Sequence, residues 1–230
     1  MKIKSIRLTT DEVRATLDGR ETVTRRVVKP QPVYSEKSGF NWKGRAFGTD
    51  LPPTVNGAAY NFRCAAPYRP GDILYVRETW SQTEDGGFLY RAWPGKGQEP
   101  EKPDEAMRGF GLKWRPPIHM PREAARIFLR VTDVRVERLQ EMSMDDIRRG
   151  GAVPSCVMCY YGNLLKDRIA CERGIVKAVD CPIESAYPEV GFQALWDSTI
   201  KPADRERCGW EANPWVWVIR FERCEKPEEG

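Results

Sequence analysis

A chain of 230 residues with 40% apolar and 30% charged side chains is long enough to bury a sizeable core and too apolar to be disordered. Its 37 basic and 33 acidic side chains leave a net charge of +4, so any basic surface has to come from arrangement rather than excess. No apolar run nears the roughly 20 residues that cross a bilayer, MKIKSIRLTT has no apolar stretch of signal-peptide length, and the seven cysteines are an odd number for a disulfide framework. The expectation is a cytoplasmic protein with no membrane partner and reduced thiols.

In chain order, residues 3–8 (IKSIRL) predict a short strand. Thr9 followed by Glu12 is a capping-box pattern that starts a helix through Val13 and Leu17, stopping at Gly19. ETVTRRVV (21–28) is β-branched and strand-like. Residues 30–70 are rich in Pro, Gly, Ser and Asn without periodicity and read as a long surface excursion. The turn Arg69-Pro70-Gly71-Asp72 launches a strand over 73–80, with Leu74, Val76 and Trp80 expected on one face and Tyr75, Arg77 and Thr79 on the other. Asp85-Gly86-Gly87 is a hairpin signal before 88–93, and 94–112 is again polar.

The segment 126–139 (RIFLRVTDVRVERL) is the longest strand signal. Its apolar parity changes between Val131 and Val134, as a bulge near Thr132-Asp133 would produce. Ser143 and Asp146 suit the cap of a short helix ending at Gly150-Gly151. Phe192, Leu195, Trp196 and Thr199 have helical spacing, and WVWVIRF (215–221) is a closing strand with Trp215, Trp217, Ile219 and Phe221 expected on one face. Uneven strands broken by short helices and long loops predict an α+β fold, mainly β: a small barrel with insertions, forming one domain over 1–230.

Three clusters carry candidate chemistry. The stretch from Gly19 to Arg26 sets Thr24, Arg25 and Arg26 where a helix end meets a strand; arginine forks bind phosphate through paired N–H groups, and the same pattern fits a strand with a solvated basic edge. In the second cluster, Arg77 and Glu78 point to opposite faces beside Trp80, so one of them lines a hollow or forms an ion pair within the sheet. The third, Lys113-Trp114-Arg115-Pro116-Pro117-Ile118-His119-Met120-Pro121-Arg122, interleaves cations and aromatics as single-strand binders do. From it Lys113, Trp114, His119 and Arg122 are candidate ligand residues. His119 is the only histidine, a type more often structural than catalytic. A further set, Cys156, Cys159, Cys171 and Cys181, has spacing that fits a closed structural zinc site, or equally a group of tolerated thiols; no cofactor is otherwise required.

The order G-x-x-T-x-T-R-R, GD-x-L-x-VRE-x-W, KWRP-x-x-HMPR-x-x-x-R, F-x-x-LWDS and NPWVWVIRFE resembles the ASCH-domain proteins, and more closely their phage- and prophage-encoded branch. The resemblance covers most of the chain apart from insertions at about 30–68, 94–112 and the cysteine-containing 151–188. It implies a PUA-like β-barrel with short flanking helices and a central cleft, a nucleic acid or nucleotide as partner, RNA or a modified base in particular, and residence in the cytoplasm of a bacterial host cell.

Small relatives in that family are similar to amidohydrolases of N4-acetylcytidine, with a lysine and a threonine in G-x-K-T-x-T and a glutamate before a later helix-closing glycine. Here Thr24 matches the threonine, but Glu21 stands at the lysine position and Gly150 at the glutamate position. Gly150 has no group to transfer a proton, and threonine alone is a poor nucleophile. The reading therefore leans towards a binding module, with Thr24 as the catalytic residue and Glu78 as a substitute acid only if the scaffold works as a nucleoside amidohydrolase or ribonuclease.

Overall fold

The computed structural model describes residues 2–48, 55–92, 103–109, 111–150 and 188–227. Strand β1 (Ile3–Arg7) leads into α1 (Thr10–Leu17), where the Thr9 hydroxyl accepts the Glu12 amide and the Glu12 carboxylate accepts the Thr9 amide, completing the capping box. Gly19 follows with φ 73°, the left-handed conformation that ends many helices. Then come β2 (Val23–Val27), β3 (Val33–Ser35), β4 (Gly39–Trp42), β5 (Arg45–Phe47) and α2 (Val55–Phe62). Next are β6 (Ile73–Arg77), β7 (Trp80–Gln82), β8 (Phe88–Tyr90) and α3 (Pro103–Gly109), followed by β9 (Phe128–Arg138), α4 (Met144–Arg149), α5 (Pro188–Thr199), α6 (Arg205–Cys208) and β10 (Trp215–Cys224). The fold is α+β with strands dominant; among the described residues no sheet closes into a barrel.

The chain forms two compact units, each assembled from separated segments. The first comprises residues 1–22, 68–133 and 219–230. There β1 runs parallel to β6, Ile3 opposite Ile73 and Arg7 opposite Arg77, and β6 pairs antiparallel with the start of β9, Leu74 opposite Leu129. Asp72 ties the corner. Its carboxylate accepts Lys4 Nζ at 2.7 Å and the amides of Lys2 and Arg69 at 3.1 Å each, while Gly71 turns the chain at φ 85°. Burial alone would raise the Asp72 carboxyl, but these three donors outweigh it and hold it below the usual aspartate value.

The expected single strand over 73–80 divides at Glu78-Thr79. The partner β1 ends opposite Arg77, and Trp80 takes new partners in Tyr90 of β8 and in Arg115. The change of direction also corrects the expected face. Trp80 packs in a core with Ile73, Tyr75, Met120, Ala124 and Phe128 rather than beside Leu74 and Val76.

The second unit comprises residues 23–67 and 134–218. Strand β9 enters it between Asp133 and Val134, and there the buried positions change phase, from Leu129 and Val131 to Val134 and Val136. The parity slip in the sequence thus marks the passage of one strand from one unit to the other. Ser143 caps α4, its hydroxyl accepting the Asp146 amide at 3.1 Å.

Residues 30–70, expected as a surface excursion, instead hold the antiparallel sheet β3-β4-β5 and the helix α2. The reason is aromatic packing. Phe40 stacks on Phe62 at 4.7 Å and meets Trp215 edge-on at 4.7 Å, and Phe62 lies 4.9 Å from Trp217. On the opposite face of β10, Val216 and Val218 pack with Val23, Leu139, Ile147, Phe192 and Trp196. The start of β10 is therefore buried on both faces, where one apolar face was expected. The polar stretch 94–112 likewise contains a helix, α3.

Candidate nucleic-acid interface

In the first unit, residues 113–122 form a surface segment fastened at several points. Trp80 and Arg115 exchange backbone hydrogen bonds of 3.2 and 2.7 Å, and the Ser81 hydroxyl donates to the Lys113 carbonyl at 3.0 Å. Proline fixes the entry, one tight helical turn spans Pro117–His119, and Met120 is fully buried. Arg77 secures the turn: its Nε donates to the Met120 carbonyl at 2.9 Å and its Nη2 to the Ile118 carbonyl. What remains outward is Lys113, Arg115, Ile118 and His119, all exposed. Trp114 is half-buried, its Nε1 donating to Asp104 of α3 at 2.9 Å, and Arg122 is half-buried.

Beneath this segment lies Glu78, 1% exposed and held by Arg126 through both oxygens at 2.9 Å. Arg126 also donates to the Ala92 carbonyl and lies over the Tyr90 ring at 4.1 Å, while the Tyr90 hydroxyl donates to the Ala124 carbonyl. Burial pushes the Glu78 carboxyl above the usual range, and the Arg126 hydrogen bonds and charge pull it back only in part. Arg126 is the last arginine of the KWRP-x-x-HMPR-x-x-x-R run; the motif carried the signal, but its role was missed because its partner lies 48 residues earlier.

In the second unit, Thr24, Arg25 and Arg26 are adjacent on β2 but face different surroundings. Arg25 is 6% exposed. Its guanidinium meets Glu137 at 3.2 Å and Asp146 at 3.4 Å, and Arg135 bridges the same two acids. Desolvation lowers the Arg25 pKa from its usual value, against the pull of Glu137 and Asp146. The Thr24 hydroxyl is buried and accepts Arg26 Nη1 at 2.8 Å, and a guanidinium cannot take a proton from it. Arg26, half-buried, also donates to the Arg25 carbonyl. Thus Thr24 and Arg26 belong to the second unit, and Arg77, Glu78, Trp80 and the 113–122 segment to the first.

Compared with family models, with curated proteins and with solved structures, the chain matches none. Cys156, Cys159, Cys171 and Cys181 lie outside the described residues. Among the described residues no group of three or more potential metal ligands occurs, and Cys64, Cys208 and Cys224 are free thiols. No described helix is long and apolar enough to cross a membrane. The 113–122 segment presents one lysine, one arginine, one imidazole and one apolar side chain together.

Proposed function

We propose that this protein is a nucleic-acid-binding module that engages RNA, or a modified base within it, through the Lys113–Arg122 segment. The observation that carries the reading is the bracing of that segment by Arg77, which leaves Lys113, Arg115, Ile118 and His119 exposed on a backbone that has already lost its freedom. Cations on such a segment meet phosphates, and the apolar and imidazole groups between them meet bases. The motif order that resembles the ASCH domains accords with this use. Binding is favoured over turnover because Glu78 is clamped by Arg126 and the Thr24 hydroxyl faces Arg26.

The test is fluorescence anisotropy with labelled single-stranded RNA and DNA over a range of salt. Tight binding that weakens steeply with salt, and that Lys113→Ala with Arg115→Ala reduces, supports the reading. Salt-independent binding, or no binding to any oligonucleotide, overturns it. Hydrolysis of acylated cytidine or RNA that is lost in Thr24→Ala would replace it with an enzyme.

A further inference from the structure

The hairpin of β4 and β5 pairs Trp42 with Arg45, leaving Lys43-Gly44 as a two-residue turn. Both residues are left-handed, at φ 51° and 74°, as the favoured hairpin turn requires. Asparagine, aspartate or glycine usually fills the first position; here a lysine does, which sets an ammonium group at the tip of a strained turn. That ammonium lies 4.2 Å from the Trp42 ring centroid, and the Arg45 guanidinium 5.2 Å from that of Phe47. Trp42 and Phe47 both meet Phe62 edge-on, at 5.7 and 5.0 Å, so the end of α2 packs against the hairpin. The next residue, Arg63, stacks at 3.8 Å on the ring of Tyr60, a residue that is 61% exposed.

Lys43, Arg45 and Arg63 are all exposed, and none forms an ion pair or donates a side-chain hydrogen bond among the described residues. Stacking engages the flat face of a guanidinium and leaves its N–H edge open to phosphate oxygens. Between residues 30 and 67 the sequence has four cations (Lys37, Lys43, Arg45, Arg63) against two acids (Glu36, Asp50).

We infer that the hairpin tip and the end of α2 form a second contact surface for single-stranded nucleic acid. Lys43, Arg45 and Arg63 meet successive phosphates, and the Tyr60–Arg63 stack continues into an unpaired base. This rests on the nucleic-acid reading above. A duplex keeps its base faces covered and gains nothing from the exposed ring, and an acidic peptide uses the charges but not the stack.

The test uses the full chain and a fluorescein-labelled oligouridine. The triple variant Lys43→Gly, Arg45→Ala, Arg63→Ala lowers the slope of log affinity against log salt by about 2, three phosphates at about 0.7 each. Tyr60→Ala weakens binding about tenfold and leaves that slope unchanged. As a check independent of any variant, photocrosslinking of a 4-thiouridine oligonucleotide to the wild-type protein labels a peptide containing Trp42 or Tyr60. Unchanged affinity and slope in the variants, or crosslinks confined to other peptides, while Lys113→Ala with Arg115→Ala still weakens binding, refutes this surface alone. No binding by the wild type removes both readings. Equal affinity for duplex RNA, or displacement by polyglutamate at matched charge, overturns the inference in favour of backbone-only or acidic-protein recognition.

Discussion

Arg126 and Glu78 meet through both carboxylate oxygens at 2.9 Å, with the acid 1% exposed and the arginine roofing Tyr90. Such a pair is far more costly to break than to keep, because the surviving charge is left in a poorly solvated place. Arg126→Ala should therefore lose about 3–5 kcal/mol at neutral pH, measured by urea unfolding. The pH dependence has a definite sign. The folded Glu78 pKa already lies above the unfolded value, and the variant raises it further. The loss is then smallest below the unfolded glutamate pKa and grows as pH rises through the folded one. A loss that does not change with pH would show that Glu78 is not the group left behind.

The four-residue ion-pair network around buried Arg25 makes a parallel case in the second unit. Arg25→Ala removes one of the two arginines that Glu137 and Asp146 share, and we expect destabilisation of about 3–5 kcal/mol. Arg25→Met, which keeps the stem and its packing near Phe192, should not recover that loss. If both substitutions prove silent in thermal unfolding, the network does not carry the stability assigned to it.

Asp72 predicts behaviour in acid. Its folded pKa lies below the unfolded value, so its contribution is present above about pH 4 and is lost as pH falls through the depressed value. Asp72→Asn should cost about 2 kcal/mol at pH 7 through its weakened contacts to Lys2, Lys4 and Arg69. It should also flatten the acid limb of the stability curve; a variant as acid-sensitive as the wild type would contradict this.

Lys43 should be a position where stability rises on substitution. Glycine adopts its left-handed backbone without the side-chain penalty. Lys43→Gly is expected to raise stability by about 1 kcal/mol, read as a higher melting temperature. Gly39→Ala is the contrasting change. Its φ is 68°, and a Cβ there would stand 2.4 Å from the Phe47 carbonyl oxygen, so the β4–β5 hairpin should weaken.

Local patterns were legible where the interaction that makes the element is itself local. Thr9 with Glu12, Ser143 with Asp146, and Gly86 in the β7–β8 turn are all three-residue or shorter relationships. The parity slip at Thr132-Asp133 was also readable, because a strand's side chains alternate whatever they pack against. The strands of residues 33–47 were not. They are three or four residues long, too short for periodicity, and they exist because Phe40 and Phe47 find Phe62, with Trp215 and Trp217 beyond.

By itself the chain determined the α+β class, most element positions and the clusters in which cations and aromatics alternate. Tertiary structure alone decided what each cation does. Arg25 and Arg26 are identical side chains one residue apart, yet one is buried against an acid 112 residues later and the other bonds its neighbour Thr24. Arg77, a ligand candidate in the sequence, donates to two carbonyls of the 113–122 segment that lie more than 40 residues away. Charge is written in the sequence, but its availability depends on burial and partners, and those are long-range properties of the fold.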